Sequence, residues 1–256
     1  MFINDIKFTI EYLENLSDFS KFLTQRAGEL PPSRGSQLYA FFSNLRLTLK
    51  QHLRQLKSRH AKLNTEISID PNIIFRYENP EGIGRKFHVS IGGVIKIKNS
   101  IITEQSLCIY LMLEHTSDCS DIPDEWKMYP PQEGFNVLRK FHFDFDAKND
   151  DDSKPKFHLQ YGGSFEEKYL NLGSKIYYKI YSSLDTPRIP QQPYDIIMLL
   201  DFALREFNLR GGEITNEKRW NNIVIKSEKL WLKPYYENLI ERLNCSSRSS
   251  PLHRIQ

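Results

Sequence analysis

Residues 141–146 read Phe141-His142-Phe143-Asp144-Phe145-Asp146, and residues 157–163 read Phe157-His158-Leu159-Gln160-Tyr161-Gly162-Gly163. Both stretches alternate between apolar and polar residues, which is the period-two pattern of a half-buried β-strand. A short polar connector separates them, so the sequence predicts two neighbouring antiparallel strands. The polar side of this hairpin carries His142, Asp144, Asp146, His158 and Gln160, here called the His/Asp face.

The sequence on either side of this hairpin predicts an α+β fold. Three further stretches with strand character precede it, at 73–78, 87–98 and 105–115. Their connectors are too short for helical crossovers, so we expect a mainly antiparallel sheet of about five strands. Apolar residues at helical spacing predict N-terminal helices over about 3–28 and 34–63, a central helix over 194–208 and a C-terminal helix over 227–243.

Breaks in these patterns divide the chain into three parts. Residues 1–64 are predicted to form a helical N-terminal segment that includes a basic helix, and residues 65–244 an α+β core. Residues 245–256 are rich in serine and are predicted to form a flexible tail. A chain of 256 residues is long enough to bury a substantial core.

Composition and missing motifs exclude several classes of protein. The net charge is +3, so charge alone does not imply nucleic acid. The cysteines Cys108, Cys119 and Cys245 show no Cys-x-x-Cys spacing, which argues against a zinc knuckle and favours a reducing cytoplasm. No signal peptide and no apolar run near ~18 residues is seen, so we expect a cytoplasmic protein without a membrane span. Motifs of kinases, dinucleotide-binding dehydrogenases, common serine hydrolases and zincins are also missing.

The His/Asp face allows two chemistries. In the first, Asp144 and Asp146 bind a divalent metal ion together with one histidine, and the metal activates water or stabilises a phosphoryl transition state. In the second, His142 and His158 act as general acid and base while Asp144 orients one imidazole ring. RNA suits the second route because its 2′-hydroxyl is an internal nucleophile. Gln160 would supply a polar contact to the substrate.

The same alternation has a plain structural interpretation. Any sheet with one solvated face shows it, and histidines and aspartates can lie on such a face without acting. A slip of one residue in strand pairing would also move one polar set to the opposite side of the sheet. The prediction is therefore geometric: His142, Asp144 and Asp146 must share an open face with His158 and Gln160.

A second feature is a helix without acidic residues. The 36 residues between Glu29 and Glu66 contain no aspartate or glutamate. The cations of this predicted helix include Arg46, Lys50, Arg54, Lys57 and Arg59, here called the basic row. Steps of four, four and three from Arg46 to Lys57 put these cations on one face, where they could follow a phosphate backbone. The row could equally dock on an acidic protein or an anionic membrane, or pair with acids of the same chain such as Glu114.

Two smaller features concern single charged residues near the central helix. Asp201 and Arg205 lie four residues apart, so we expect them to form an ion pair on that helix. Arg188 lies between Pro187 and Pro190 and is predicted to be a polar contact for an anion on a stiff loop.

These features predict a nucleic-acid-binding protein, with RNA ahead of DNA. It would hold the backbone with the basic row and cleave or modify RNA at the His/Asp face, as a ribonuclease or another phosphodiester-acting hydrolase. Toxin–antitoxin and antiviral defence proteins include such activities. The alternative from another class is a non-catalytic adaptor or regulatory subunit that docks on an acidic partner through the basic row. A third hypothesis is a small-molecule binder with its site between the sheet and the central helix.

Overall fold

The computed structural model has the chain order helices, sheet, helices. It describes residues 5–30, 35–58, 62–77, 86–115, 134–147, 156–162, 176–178, 188–207, 209 and 211–245. The helices are α1 (Ile6–Arg26), α2 (Gly35–Ser58), α3 (Ile196–Glu206) and α4 (Lys218–Cys245), with a 3₁₀ turn at Gly212–Asn216 before α4. None of these helices, within the residues described, is long and apolar enough to cross a lipid bilayer.

The sheet is mainly antiparallel, as predicted. Its strands are β1 (Thr65–Tyr77), β2 (Lys86–Lys98), β3 (Ile101–His115), β4 (Gly134–Asp146), β5 (Phe157–Tyr161), β6 (Ile176–Tyr178) and β7 (Arg188–Pro190). Their spatial order is β1-β2-β3-β4-β5-β7, and β6 pairs in parallel with β4. The α+β class is therefore confirmed, although the structure has two more strands than the five expected. Both additions are three residues long, too short to show a period-two pattern.

The first strand is longer than its predicted span. β1 begins at Thr65, and its pairing with β2 shifts between Ile69 and Ile73. Pro71 lies in this interval, and a proline lacks the N–H group that regular pairing requires. The interruption explains why the sequence pattern suggested a strand only from residue 73.

The helices also differ from expectation at their boundaries. A single continuous helix covers Ile6–Arg26, and Asp5 caps its start by accepting a hydrogen bond from the Phe8 N–H at 2.5 Å. The C-terminal helix begins at Lys218, earlier than predicted, and continues through Pro234. β2 and β3 are joined by a tight turn at Asn99-Ser100, with φ values of 52° and 69° at the two residues.

All four helices pack on one side of the sheet, the side that carries the phenylalanines of β4. Trp231 of α4 is fully buried, and its ring centroid lies 5.8 Å from that of Phe145 and 6.5 Å from that of Phe157. The same indole contacts Phe8 and Tyr12 of α1, at 4.9 and 5.5 Å between centroids. One hydrophobic core thus joins the N-terminal helices, the sheet and α4. The His/Asp face lies on the opposite side of the sheet.

Candidate functional site: the His/Asp face

The pairing of β4 with β5 brings the predicted polar residues together. His142 lies opposite Gln160, and Asp144 lies opposite His158. Residues directly opposite each other on antiparallel strands share one face of the sheet. Asp146 follows on the same side because side chains alternate along β4. The predicted common face is therefore confirmed, and the chemical roles assigned to it stay predictions.

Asp144 is the centre of the contacts on this face. Its Oδ1 accepts a hydrogen bond from the Ser106 hydroxyl at 2.7 Å, and its Oδ2 lies 3.5 Å from Nε2 of His158. In a serine-nucleophile triad the imidazole lies between the hydroxyl and the carboxylate. Here the carboxylate lies in the middle, so these contacts orient His158 and do not activate Ser106 as a nucleophile.

His142 is a neutral imidazole in this environment. Burial lowers the pKa of His142 from 6.5 to about 3, with smaller contributions from the positive charges of Lys140 and His158. Its ring meets the Tyr110 ring edge-on, with 6.5 Å between centroids, and its buried Nε2 has no hydrogen-bond partner among the residues that the structure describes. A ring that is deprotonated near pH 7 cannot serve as a general acid there, which argues against the acid role predicted for His142.

The expected openness of the face is wrong at its centre. The side chain of His158 is 1% exposed, whereas that of Asp144 is 23% exposed. Neighbouring residues on the same side, Lys140 and Cys108, are also buried. Burial raises the pKa of the Cys108 thiol to about 11, so this cysteine is protonated and unreactive near neutral pH. Alternation along a strand separates two faces, but it carries no information about what covers either one.

Metal binding is not supported by the arrangement of the ligands. Across the described ranges, no group of three or more histidine, cysteine, aspartate or glutamate side chains could hold a metal ion. Asp144 is instead engaged with Ser106 and His158. The metal-ligand roles of Asp144 and Asp146, and a divalent cofactor with them, stay predictions.

Arg188 joins the same face, but from a strand and not from the loop that was predicted. β7 pairs with β5 so that Arg188 lies opposite Gln160, which in turn lies opposite His142. Residues 188–190 are extended, and Pro190 is tolerated because β7 lies at the edge of the described sheet, where one side of the strand needs no hydrogen-bond donor. Arg188 Nε is buried and has no hydrogen-bond partner within the described part of the chain. The two predicted polar contacts therefore lie in one cross-strand row.

Sequence reasoning missed several residues of this face. Ser106, Cys108 and Tyr110 lie on it, as does Lys140, whose Nζ is 5.8 Å from the centroid of the Tyr110 ring. The first three alternate with Leu107 and Ile109 along β3, so the signal for their shared side was present. What the sequence lacked was the register, which pairs Ser106 with Asp144 and Cys108 with His142.

The basic row lies on α2, and its members have different surroundings. Lys50 and Arg54 are exposed and Arg46 is half-buried. Lys57 instead contacts Glu14 of α1, at 2.6 Å between Nζ and Oε1. Arg59 lies outside the described residues. Glu114, suggested as an internal partner for the row, pairs with His88 at 3.0 Å.

The basic row and the His/Asp face belong to opposite sides of the sheet. Leu45, Leu49 and Leu56 of α2 are buried in the core on the helix side. The polar side chains of β4 and β5 point away from that core, because the alternating Phe145 and Phe157 point into it. An RNA strand would have to pass around an edge of the sheet to contact both features.

A second polar cluster lies between the sheet and the helices. Tyr12 donates to Gln105 Oε1 at 3.4 Å, and the Gln105 amide donates to the Tyr194 carbonyl at 2.6 Å. Asp195 caps α3 by accepting from the Met198 N–H at 2.8 Å, and it also accepts from the Ser227 hydroxyl. Tyr12, Gln105, Asp195 and Ser227, here called the helix-side cluster, are all buried. They occupy part of the region where a small-molecule site was hypothesised.

The ion pair predicted on the central helix is confirmed. Arg205 Nε lies 2.9 Å from Asp201 Oδ2, and Trp220 Nε1 donates to Asp201 Oδ1 at 2.6 Å. The pair therefore ties α3 to α4 and has a structural role.

Comparisons with protein-family models, with curated protein sequences and with solved structures found no match.

Proposed function

We propose that the protein binds nucleic acid, RNA ahead of DNA, through the basic row of α2. The observation that carries this proposal is that no ion pair joins Arg46, Lys50 or Arg54 to another residue in the part of the chain described. Lys57 differs, because Glu14 already neutralises it. The three unpaired cations are thus the charges that an external polyanion could neutralise.

The spacing of these cations suits a phosphate backbone. Residues four apart in a helix are separated by about 6 Å along its axis, so Arg46, Lys50 and Arg54 form a row about 12 Å long. Each phosphate contact releases condensed counterions, and binding then weakens as salt concentration rises. RNA is the proposed ligand in preference to DNA, because proton-transfer chemistry at the His/Asp face would use the 2′-hydroxyl group, which DNA lacks.

The salt dependence of binding tests this proposal. Fluorescence anisotropy with labelled single-stranded RNA would compare the wild-type protein with the triple variant Arg46→Gln/Lys50→Gln/Arg54→Gln. Loss of three phosphate contacts should make the plot of log binding constant against log salt concentration less steep, by about 2 in slope. The matched control Lys218→Gln/Lys229→Gln/Lys233→Gln removes the same charge from α4 and should leave the slope unchanged.

Two results would overturn RNA binding by the basic row. One is equal loss of slope in the triple variant and in its α4 control, which would indicate an effect of overall charge alone. The other is the absence of measurable RNA binding at low salt. Recovery of an acidic protein in a stoichiometric complex that the triple variant fails to form would instead support the adaptor alternative.

A second candidate function is cleavage of RNA at the His/Asp face. It is favoured by the linked contacts of Ser106, Asp144 and His158, together with the unbonded nitrogen of His142 on the same face. In this role His158 would transfer protons and Asp144 would hold its ring. A small exposed part of Asp144 marks where a substrate would have to enter.

An RNA degradation assay, with divalent metals and with a chelator, tests the catalytic hypothesis. We expect His158→Gln to abolish cleavage while circular dichroism shows a folded protein. The basic-row triple variant should raise KM and leave kcat nearly unchanged, because its residues lie on the other side of the sheet. Full cleavage by the His158 and His142 variants would rule out this face as the active site.

A further inference from the structure

Three polar residues form a row across β4, β5 and β7. His142 lies opposite Gln160, and Gln160 lies opposite Arg188, so all three belong to the His/Asp face. We call these residues the Arg188 row. Neighbouring strands are separated by about 4.8 Å, which places the Cα atoms of His142 and Arg188 about 10 Å apart, with Gln160 between them. The three side chains therefore border one short stretch of the face.

Two members of this row have buried nitrogens that lack a hydrogen-bond partner. His142 Nε2 and Arg188 Nε are both unbonded among the residues described. A buried polar atom without a partner costs stability, and the cost is larger when the group is charged. Arginine keeps its positive charge at every pH at which proteins are normally folded. The partner that would satisfy Arg188 is therefore an acceptor, and an anion would satisfy its charge as well.

The row is more accessible than the residues beside it. His142, Gln160 and Arg188 are half-buried. The neighbouring side chains of Lys140 and His158 are only 2% and 1% exposed. A small ligand could thus reach the row, where the surrounding protein screens charges less than bulk water does.

Charges near the row favour an anion. Lys140 lies two residues before His142 on the same side of β4, and its positive charge adds to the effect of burial in lowering the pKa of His142. The carboxylate of Asp144 belongs to the next row of the sheet, opposite His158. It already accepts a hydrogen bond from Ser106. The positive charge of Arg188 is therefore supplemented by that of Lys140, while Asp144 is engaged elsewhere.

We propose that the Arg188 row binds one phosphate group. An arginine can donate to two phosphate oxygens at once, through Nε and one terminal nitrogen. The Gln160 amide and the neutral imidazole of His142, with its hydrogen on Nε2, supply two further donors. A carboxylate has only two oxygens, whereas phosphate has enough for donors that converge from three strands. This site does not depend on RNA binding by the basic row, which lies on the other side of the sheet.

Inorganic phosphate is the probe that tests the site. Isothermal titration calorimetry should detect its binding to the wild-type protein. Arg188→Gln should raise the phosphate dissociation constant about tenfold or more, because it removes the charge and the two parallel hydrogen bonds. Arg188→Lys keeps the charge without the paired donors and should retain only part of the affinity. The matched control Arg139→Gln changes an exposed arginine of β4 and should leave the dissociation constant unchanged.

A spectroscopic measurement on the wild-type protein is independent of how the variants fold. In nitrogen NMR spectra of the histidine rings, the Nε2 resonance of His142 should shift as phosphate is added. An unchanged His142 resonance at saturating phosphate would overturn the proposal. So would the absence of phosphate binding by the wild-type protein, unchanged affinity in Arg188→Gln, or an equal loss of affinity in Arg139→Gln.

Two further ligands distinguish the sources of the phosphate group. If the source is a free nucleotide, uridine 3′-monophosphate should bind the wild-type protein more tightly than inorganic phosphate does. If it is an RNA chain, Arg188→Gln should weaken RNA binding even when Arg46, Lys50 and Arg54 are already replaced by glutamine. That triple variant should bind inorganic phosphate as the wild-type protein does. Failure of the basic row to bind RNA and failure of the phosphate site are therefore separate results.

Discussion

The helix-side cluster and the His/Asp face, which lie on opposite sides of the sheet, bury their polar groups in different ways. In the helix-side cluster, the Asp195 carboxylate accepts from Met198 and Ser227, and Gln105 is bonded at both ends of its amide. On the His/Asp face, His142 Nε2 and Arg188 Nε are buried and have no hydrogen-bond partner among the described residues. The same holds on the helix side for Asn15 Oδ1 and Trp231 Nε1, which lie outside the helix-side cluster. Buried polar groups that are fully bonded typically specify a core, whereas unbonded ones cost stability unless a ligand satisfies them. Because unbonded atoms occur on both sides, the comparison holds for the two clusters and not for the sides as wholes. The helix-side cluster is bonded throughout and has a structural role, whereas the His/Asp face has unbonded nitrogens that a ligand could satisfy.

Burial shifts the pKa values of His142 and Asp195, one residue on each side of the sheet, in opposite directions and for the same reason. It lowers the pKa of His142 to about 3 and raises that of Asp195 to about 6. In each case the apolar surroundings disfavour the charged form, which is the protonated imidazole in one residue and the carboxylate in the other. The protein should therefore lose stability through His142 as pH falls and through Asp195 as pH rises.

The largest expected effect is acid destabilisation through His142. Because the folded pKa is depressed from 6.5 to about 3, stability is retained above pH 6.5 and lost as pH falls toward 3. The full loss corresponds to about 5 kcal/mol, at ~1.4 kcal/mol per pKa unit. Urea unfolding from pH 7 to pH 3 should show His142→Phe losing less stability than wild type, with His142→Gln as a second uncharged variant. Identical pH profiles for all three proteins would contradict the burial of His142.

Asp195 should produce a smaller effect of the opposite sign. Its folded pKa is raised from 3.8 to about 6, so its favourable contribution is complete below pH 3.8 and is lost as pH rises through 6. The loss amounts to about 3 kcal/mol. Asp195→Asn keeps a side chain that caps α3 and cannot ionise, and it should flatten the stability profile between pH 4 and 7. A steeper profile in this variant would show that the Asp195 charge is stabilised and not penalised.

The smallest effects come from removing single hydroxyl donors on each side. Ser227→Ala should destabilise the protein by about 2 kcal/mol at pH 7, because a buried carboxylate loses a donor. Ser106→Ala removes the donor to Asp144, which is partly exposed to water, and should cost about 1 kcal/mol. Thermal unfolding of the two variants measures both values. A larger loss for Ser106→Ala would mean that the His/Asp face supports the fold as strongly as the helix-side cluster.

Much of the fold follows from local sequence patterns. The helical spacing of leucines in α2 and the alternation in β4 and β5 were sufficient to predict these elements, because each pattern depends on the geometry of one element. The short strands β6 and β7 escaped detection, since three residues cannot establish a period. The early start of α4 was missed because its first turns contain exposed polar residues beside the buried Trp220.

The candidate site was only partly predictable. The proximity of His142, Asp144 and His158 followed from pairing two adjacent strands in the simplest register. The contact of Ser106 with Asp144 did not, because it depends on the pairing of residues 38 positions apart. The pairing of Lys57 with Glu14, which distinguishes it from the rest of the basic row, depends likewise on how α2 packs against α1.

The sequence alone determined which residues share a side of each strand and each helix, because the backbone sets those periods locally. It therefore determined that β4 and β5 have a phenylalanine side and a polar side, and that α2 has a row of cations. Only the tertiary structure decided that His158 is buried, that Asp144 lies between Ser106 and His158, and that the basic row is on the other side of the sheet. Burial and cross-strand contacts depend on the packing of segments that are distant in the chain, and no local period encodes them.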